Sequence, residues 1–263
     1  FLREWTALVE SKSGERGIFS RVAAKKQVAK NGRRDPNHDW GCNPCSEILL
    51  RPNQFCNLTE IVARHDDTKA SLLGKVRLAA ILGTIQATYT KFPYLRKVWT
   101  NNTEEERLLG VSLTGIMDCK LVSSSVNTEK LLGVLKDEAI RVNKKYASRF
   151  NIPQATAITC VKPSGTVSQL VDSASGIHTR HSSFYTRTVR GDIKDPLTQF
   201  LIDQGVPNEP CAMKPDNTVV FSFPNKAPKG AVTRDDVSAV EQLEMWLTYQ
   251  RHWCEHKPSV TIT

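Results

Sequence analysis

The sequence lacks long hydrophobic runs, and this excludes several classes of protein. No stretch approaches the roughly 18 consecutive apolar residues that a membrane-spanning helix needs. No basic segment followed by an apolar one opens the chain, so no secretory signal is predicted. The seven cysteines are odd in number and irregularly spaced, unlike the framework of a secreted disulfide-rich protein. These absences favour a cytoplasmic protein with reduced thiols and no membrane partner.

Internal repeats and low-complexity linkers are also absent. Of the 263 residues, 40% are hydrophobic, which is enough to bury a sizeable core. Lysine and arginine outnumber aspartate and glutamate by 36 to 27, giving a formal charge of +9. This excess suits an anionic ligand such as a nucleotide. No basic run is long enough to act as a nucleic-acid tail, and the densest cluster, residues 23–34, is interpreted as a solvated surface segment.

The two ends of the sequence suggest a portion of a longer protein. The chain begins at Phe1 rather than methionine, and it ends on the alternating run SVTIT, residues 259–263. We expect one catalytic domain over residues 1–263 that is incomplete at both ends.

Predicted helices alternate with predicted strands along the chain. Apolar residues recur at helical spacing over 1–10, 69–91 and 128–150. Thr233 followed by Asp236 is a capping signature that predicts a further helix to about residue 254. Strand patterns cover residues 155–161, 218–224 and 259–263. The alternation indicates an α/β architecture in a single domain.

The stretch GCNPCSEILLRPNQFCNL, residues 41–58, contains three of the cysteines. Cys42 and Cys45 form a C-x-x-C pair, and Cys56 follows. A structural zinc site usually has four ligands, and the later pair of Cys254 and His256 is remote in sequence. A thioredoxin-like redox pair needs a helix directly after it, which the pattern does not predict. Inert buried thiols are the third alternative.

Glu47 favours thiol chemistry in this stretch. In a strand or tight loop, side chains two positions apart point to the same side, so Glu47 and Asn43 are both candidates to lie beside Cys45. A carboxylate there could act as a general base, and the asparagine could hydrogen-bond the carboxylate or a substrate hydroxyl. The alternatives are a solvated charge for Glu47 and an ordinary turn residue for Asn43.

A second candidate site lies in KPSGTVSQL, residues 162–170. Pro163 and Gly165 predict a turn, and a helix start follows it. The unpaired N–H groups of a helix start can hold an anion, and Lys162 favours phosphate. The spacing is not that of a P-loop, and an ordinary helix cap is the alternative. Hydroxyl groups are available from Ser164, Thr166 and Ser168.

These motifs together resemble the ribonucleotide reductases. NPCSEI followed by CNL resembles the active-site loop of that family. CVKPSGTVSQL with SGIHTRHSSFYTRTVR resembles the phosphate-binding region of its adenosylcobalamin-dependent (class II) branch, especially the ribonucleoside-triphosphate reductase type. SGERGIFSR, residues 13–21, and RLLGVSLTGIMD, residues 107–118, also fit. The resemblance implies part of a ten-stranded α/β barrel with a central finger loop.

The resemblance also implies a role for each matching residue. Cys45 would carry a thiyl radical, Glu47 would accept the proton of the substrate 3′-hydroxyl, Asn43 would hold that hydroxyl, and Cys56 would be one of two reducing thiols. The implied phosphate-binding residues are Pro163, Ser164, Gly165, Thr166, Val167 and Ser168. The implied activity is that of an oxidoreductase that makes deoxyribonucleotides for DNA replication from ribonucleotides. The closer resemblance to the ribonucleoside-triphosphate reductase type implies triphosphate substrates.

Further partners follow from the same resemblance. Adenosylcobalamin would generate the radical, a thioredoxin-type protein would supply electrons, and a deoxynucleotide would act as allosteric effector in the full-length protein. No metal ligands, nucleic acid or membrane are expected.

Some expected parts of such an enzyme fall outside the sequence. The resemblance places the second reducing cysteine before Phe1 and a further cysteine pair beyond Thr263. Cys160 is interpreted as a core residue, and buried thiols are expected at Cys42, Cys119, Cys211 and Cys254. Two alternatives stay open: a catalytically incomplete fragment that only binds nucleotide, and a zinc or nucleic-acid-binding module.

Overall fold

The computed structural model describes residues 1–12, 17–124 and 126–262. The first four residues of SGERGIFSR, Ser125 and the last residue of SVTIT lie outside the described residues. The helices are α1 Leu2–Ser11, α2 Arg21–Ala29, α3 Lys69–Gln86, α4 Lys97–Glu106, α5 Lys120–Ser123, α6 Thr128–Arg149, α7 Val167–Leu170, α8 Pro196–Asp203 and α9 Ala239–His252. The strands are β1 Gly41–Cys42, β2 Leu49–Leu50, β3 Asn57–Val62, β4 Leu109–Thr114, β5 Thr159–Cys160, β6 Phe184–Asp192, β7 Asn208–Pro210 and β8 Thr218–Lys226. Two short 3-10 turns cover Ile116–Asp118 and Arg234–Asp236.

A parallel sheet in the order β3-β4-β5 organises the structure. Asn57 lies opposite Leu109 in the first pairing, and Ser112 lies opposite Cys160 in the second. Every residue of β4 is buried. A central strand covered on both faces is typical of parallel sheets, because each connecting helix must pack on one of the faces.

The two faces of this sheet carry different chemistry. On one face Thr59 donates a hydrogen bond to the Ala79 carbonyl of α3, and the apolar core lies between the sheet, α3 and α6. Because side chains alternate along a strand, the opposite face presents Glu60, Ser112 and Cys160. This second face therefore offers polar and thiol groups.

An antiparallel sheet in the order β6-β8-β7 follows in the chain. β6 pairs with β8 from Phe184 opposite Lys226 to Asp192 opposite Thr218. The predicted strand at 218–224 is confirmed as part of β8. Its partner β6 was not predicted, because its mixed polar pattern gives no buried face from which to recognise a strand.

The predicted helices at 1–10, 69–91 and 128–150 are present as α1, α3 and α6. The helix expected to start at Thr233 begins later. Thr233 and Asp236 do form a capping box, but it caps only the 3-10 turn Arg234–Asp236. A second capping box, formed by Ser238 and Glu241, starts α9 at Ala239. Two capping signals lie in succession here, and only the second precedes an uninterrupted helical run.

The predicted strands at 155–161 and 259–263 are shorter than expected. β5 covers only Thr159–Cys160, and the described part of SVTIT forms no strand. Pro258 instead makes a single parallel bridge with Val161, and the Ser259 N–H donates to the Val161 carbonyl at 2.8 Å. No helix in the described ranges has the length and apolar character needed to cross a membrane.

Gly110 allows close approach to the polar face of the sheet. A Cβ atom at this position would overlap the Leu58 side chain and would lie 3.2 Å from Ile48 Cδ1 and 3.3 Å from Cys56 Sγ. The absence of a side chain in β4 therefore makes the space in which these groups pack.

We predict that Gly110→Ala destabilises the fold by about 1–3 kcal/mol, because the added methyl overpacks this contact. Gly133→Ala in α6 is the matched control, since its Cβ would meet nothing within 4 Å. That change should stabilise the protein by about 0.5–1 kcal/mol through helix propensity. Urea unfolding of both variants measures the difference, and equal stabilities would contradict the role given to Gly110.

Candidate active site

A hairpin of β1 and β2 carries the predicted thiol loop. Gly41 lies opposite Leu50 and Cys42 opposite Leu49, so residues 43–48 form the tip. Asn43 closes this tip. Its Oδ1 accepts a hydrogen bond from the Ile48 N–H at 3.0 Å, and its carbonyl accepts one from the Ser46 N–H at 2.9 Å. Asn43 therefore acts as a turn residue, and its side-chain NH2 group takes part in neither of these hydrogen bonds.

The tip places Cys45 and Glu47 in opposite environments. Cys45 is exposed and free. Glu47 is fully buried, and neither carboxylate oxygen has a hydrogen-bond partner among the described residues. Ser46 between them has φ of 59°, which interrupts the regular alternation of an extended strand. A solvated charge is thus excluded for Glu47, and its buried oxygens are acceptors that lack a donor.

Cys56 lies just before β3, with its thiol near Gly110. Burial raises the pKa of this thiol strongly, the charge on Glu47 raises it further, and the charge on Arg34 acts in the opposite direction. Cys56 is therefore a neutral thiol at physiological pH. The same applies to Cys160, whose pKa is raised first by burial and then by Cys56 and other nearby acidic groups, including Glu47.

These effects place Cys56, Cys160 and Glu47 in one desolvated compartment on the polar face of the sheet. The interpretation of Cys160 as a core residue agrees with its complete burial. The expected burial is also found for Cys119, Cys211 and Cys254, but Cys42 is exposed. Its position in the short β1 strand, at the outer side of the hairpin, leaves it uncovered. No cluster of three or more potential metal ligands occurs within the described ranges.

Arg34 fixes the β1–β2 hairpin to α4 through buried hydrogen bonds. It is buried and donates to both carboxylate oxygens of Glu106 at 2.9 and 2.8 Å and to the Leu49 carbonyl at 2.8 Å. Its guanidinium also lies 4.4 Å from the centre of the Trp40 ring. The interpretation of residues 23–34 as a solvated segment is therefore wrong at Arg34. Sequence composition could not distinguish it from its exposed neighbours, because its partners are remote in the chain.

His256 is a second buried group that sequence reasoning missed, except as a weak zinc candidate. Its Nε2 lies 2.9 Å from the Leu109 carbonyl, and its Nδ1 has no partner among the described residues. Burial, with the charge on Arg34, lowers its pKa to about 3. The next residue, Lys257, donates its N–H to the Glu47 carbonyl at 3.0 Å. This segment therefore holds both the sheet and the hairpin.

The predicted phosphate segment forms a turn followed by the short helix α7. Ser164 is buried with φ of 54°, and its hydroxyl donates to Glu60 Oε2 at 2.7 Å. Ser168 is buried and shares a 2.7 Å hydrogen bond with Ser175. Gly165 and Thr166 are exposed. Two of the three predicted hydroxyls thus serve the loop itself, and the exposed part of the turn is left for a ligand.

Hydrogen bonds fix this segment to the ends of the central strands. The Lys162 N–H donates to Ser112 Oγ at 2.8 Å. Thr114 Oγ1 donates to the Ala174 carbonyl at 3.0 Å and accepts from the Gly176 N–H at 2.8 Å. Gly176 has φ of 55°, and a Cβ there would strike the Lys162 carbonyl. The turn is therefore held rigidly at the carboxyl end of the sheet.

The thiol compartment and the phosphate segment lie on the same face of the sheet. Cys56 and Glu60 are four residues apart in an extended chain, which corresponds to about 13 Å. Ser164 contacts Glu60, and Glu47 acts electrostatically on Cys56. The thiol groups and the turn are therefore separated along β3 but share one face of the sheet.

Comparison with known proteins agrees with this arrangement. No protein-family model matches the chain. It is 30% identical over 233 residues to the adenosylcobalamin-dependent ribonucleoside-triphosphate reductase of Euglena gracilis, covering 85% of this chain and 30% of that protein. The Lactobacillus gasseri protein of the same name is 28% identical over 252 residues, covering 85% of this chain and 34% of the relative. Over 85% of its length the chain is therefore similar in sequence to adenosylcobalamin-dependent ribonucleoside-triphosphate reductases.

Solved structures of ribonucleotide reductases confirm the predicted α/β fold class. A B12-dependent class II ribonucleotide reductase matches with a TM-score of 0.72 and 23% identity, over 84% of this chain and 35% of the other. The class Id α subunit of Actinobacillus ureae matches with a TM-score of 0.63 and 15% identity, over 96% and 53%. The chain spans about a third of the length of the curated relatives.

The pKa of His256 leads to a prediction about acid stability. The unfolded state binds a proton near the ordinary histidine pKa, whereas the folded state resists protonation down to about pH 3. Stability should therefore fall as the pH drops below about 6.5, by up to about 1.4 kcal/mol per unit. His256→Gln should flatten this slope when urea unfolding is measured between about pH 6 and pH 4.

The exposed His65 supplies the control for this measurement. His65→Gln should keep the wild-type slope, because its ring is not held in a buried neutral form. An unchanged slope in His256→Gln would show that other groups cause the acid sensitivity.

Proposed function

We propose that this chain carries the reducing site of a ribonucleotide reductase that converts ribonucleotides, as triphosphates, to 2′-deoxyribonucleotides by a thiyl-radical mechanism. The observation that carries the proposal is the buried, unpartnered carboxylate of Glu47, which lies two residues from the exposed Cys45 in the chain and acts electrostatically on the neutral thiol of Cys56. The names of the curated relatives support the triphosphate substrate class.

Cys45 is the proposed hydrogen-atom carrier. As a thiyl radical, its sulfur takes the hydrogen atom from ribose C3′ and returns it at the end of the reaction. A radical at C3′ weakens the neighbouring C2′–O bond, which explains why a sulfur group is needed there. The exposed position of Cys45 at the tip lets its sulfur meet both the ribose and the group that oxidises it.

Glu47 is the proposed base and Asn43 its helper. The Glu47 carboxylate accepts the proton of the 3′-hydroxyl, and this hydroxyl supplies the hydrogen-bond donor that the buried oxygens lack. Asn43 already fixes the tip with its Oδ1, so its NH2 group is the part that can donate to the ribose hydroxyl oxygen. The base therefore acts from a position that is fixed before the substrate binds.

Cys56 is the proposed electron and proton donor. Because its pKa is raised, it keeps its proton until the 2′-hydroxyl leaves as water. Two thiols lose two electrons and become a disulfide as the substrate is reduced. Cys56 is one of them, and the resemblance places the other on a strand before Phe1. A thioredoxin-type reductant would restore the pair.

Adenosylcobalamin is the proposed cofactor, because the curated relatives are named as dependent on it. When bound, it supplies the radical chemistry that amino-acid side chains do not provide. The site fits such a group, since the Cys45 thiol is free and exposed and a large molecule can reach it.

The remaining parts of the proposal concern phosphate, regulation and compartment. The turn Pro163–Ser168 holds the substrate phosphates through its exposed backbone and Thr166. A deoxynucleotide effector belongs to the full-length protein. The seven free cysteines support a reducing compartment, for which we propose the cytoplasm.

We predict that Cys45→Ser abolishes ribonucleotide reduction by the full polypeptide that contains this chain. The assay supplies a ribonucleoside triphosphate, adenosylcobalamin and a dithiol. Serine cannot form the sulfur radical, so activity should fall to background. Cys42→Ser is the matched control, since Cys42 is an equally exposed thiol of the same hairpin, and it should remain active because the proposed mechanism gives Cys42 no role. Full activity in Cys45→Ser would refute the proposed function.

Glu47→Gln should separate chemistry from binding. The change keeps size and removes the base, so kcat should fall by about 10²–10⁴-fold with KM little changed. A wild-type polypeptide that binds the triphosphate but never reduces it would favour the alternative of a nucleotide-binding fragment.

A further inference from the structure

Glu60 is a carboxylate of the polar sheet face that the proposed mechanism does not use. It lies in the middle of β3, opposite Ser112 of β4. Its Oε2 accepts the 2.7 Å hydrogen bond from the Ser164 hydroxyl. Its Oε1 is buried and has no hydrogen-bond partner among the described residues. One oxygen therefore holds the phosphate turn, and the other is desolvated beside it.

The contact with Ser164 occurs where the turn needs support. Ser164 has φ of 54°, a left-handed conformation that a residue with a Cβ seldom adopts. The hydrogen bond to Glu60 compensates for this cost and directs the chain into Gly165 and Thr166. Loss of the carboxyl group would therefore disorder the turn.

The surroundings of Glu60 leave its negative charge weakly compensated. Burial raises the pKa of Glu60, and the hydroxyls of Ser164 and Ser112 and the charge of Lys162 oppose this rise. The thiol of Cys160 on β5 is neutral, because its own pKa is raised.

Two other cationic side chains near the carboxyl end of β3 already have hydrogen-bond partners. Lys75 on α3 donates to the Val62 carbonyl at 2.8 Å and to Asp67 at 2.6 Å. Arg64 donates to the carbonyls of Val171 and Asp172. Lys162 is thus the cation that acts on both Glu60 and the turn, and an incoming phosphate would compete with Glu60 for it.

We propose that Glu60 is a positioning residue that shapes the phosphate turn and takes up one proton when the nucleotide phosphates bind. The inference rests on the proposed function, because it concerns the same phosphate turn. The physical reason is that a phosphate beside the turn repels the Glu60 charge, and a neutral carboxyl group still accepts the Ser164 hydrogen bond. Phosphate binding should then weaken as the pH rises above the pKa of free Glu60.

The test measures CTP binding by calorimetry, between about pH 5 and pH 8, in buffers of different ionisation enthalpy. The wild-type polypeptide should take up a proton on binding, and its affinity should fall by up to about tenfold per pH unit beyond the effect of the phosphate's own titration. Glu60→Gln resembles the protonated side chain. It should lose this uptake, and its affinity should change across the range only as the phosphate's own titration requires, staying at the level that the wild type has at low pH in every other respect.

The phosphate's own titration is common to both proteins, so the difference between them reports Glu60. Glu244→Gln on the exposed side of α9 is the control and should behave as the wild type. Equal proton uptake in the wild type and Glu60→Gln would overturn the inference while the proposed function stands. A wild type that does not bind CTP would overturn both.

Hydrogen exchange of residues 163–168 in the absence of nucleotide tests the positioning role separately. Glu60→Ala should speed exchange in the turn at least several-fold, whereas Glu60→Gln should not, because its amide oxygen can still accept from Ser164. Ser164→Ala should reproduce the effect of Glu60→Ala. Unchanged exchange in both alanine variants would overturn the positioning role, and Glu60→Gln still tests the proton uptake if Glu60→Ala fails to fold.

Discussion

The parallel pairing of β4 with β3 and β5 is the interaction on which the site depends. One face of this sheet is covered by α3 and α6 and is apolar, so alternation along the strands collects the polar and thiol groups on the other face. Gly110 then provides the space in which Cys56 and the hairpin residue Ile48 approach the sheet. A change of register by one residue would turn Glu60 and Cys160 toward the core and separate the thiol compartment from the phosphate turn.

Low polarity gives this face its chemical character. Burial keeps the thiol of Cys56 neutral and leaves Glu47 without a hydrogen-bond donor, whereas the tip residue Cys45 stays open to solvent. The positive charge of Arg34 opposes the effect of the Glu47 charge on Cys56. Arg34 also ties the hairpin to Glu106. The same residues therefore set both the shape and the electrostatics of the site, so a substitution that alters one also alters the other.

Much of the fold and part of the site follow from local pattern. Amphipathic periodicity located α1, α3 and α6, and the turn chemistry of KPSGTV located the turn that precedes α7. Shorter elements were harder to predict. β6 has no buried face, β5 is only two residues long, and two successive capping boxes obscured the start of α9. The two strands depend on pairing partners remote in the chain, to which a local pattern is insensitive, whereas the two capping boxes are local signals of the same kind and differ only in the length of helix that follows.

The residues proposed to carry the chemistry could be named from the sequence alone, because NPCSE, CNL and KPSGTVS are contiguous motifs whose residue types are visible without a structure. Their environments depend on the three-dimensional fold. It buried Glu47 while exposing Cys45, made Arg34 an internal anchor within a segment that looked solvated, and paired Glu60 with Ser164 across 104 positions of sequence. Burial and charge compensation arise from side chains that meet only when the sheet forms, so no local pattern contains them.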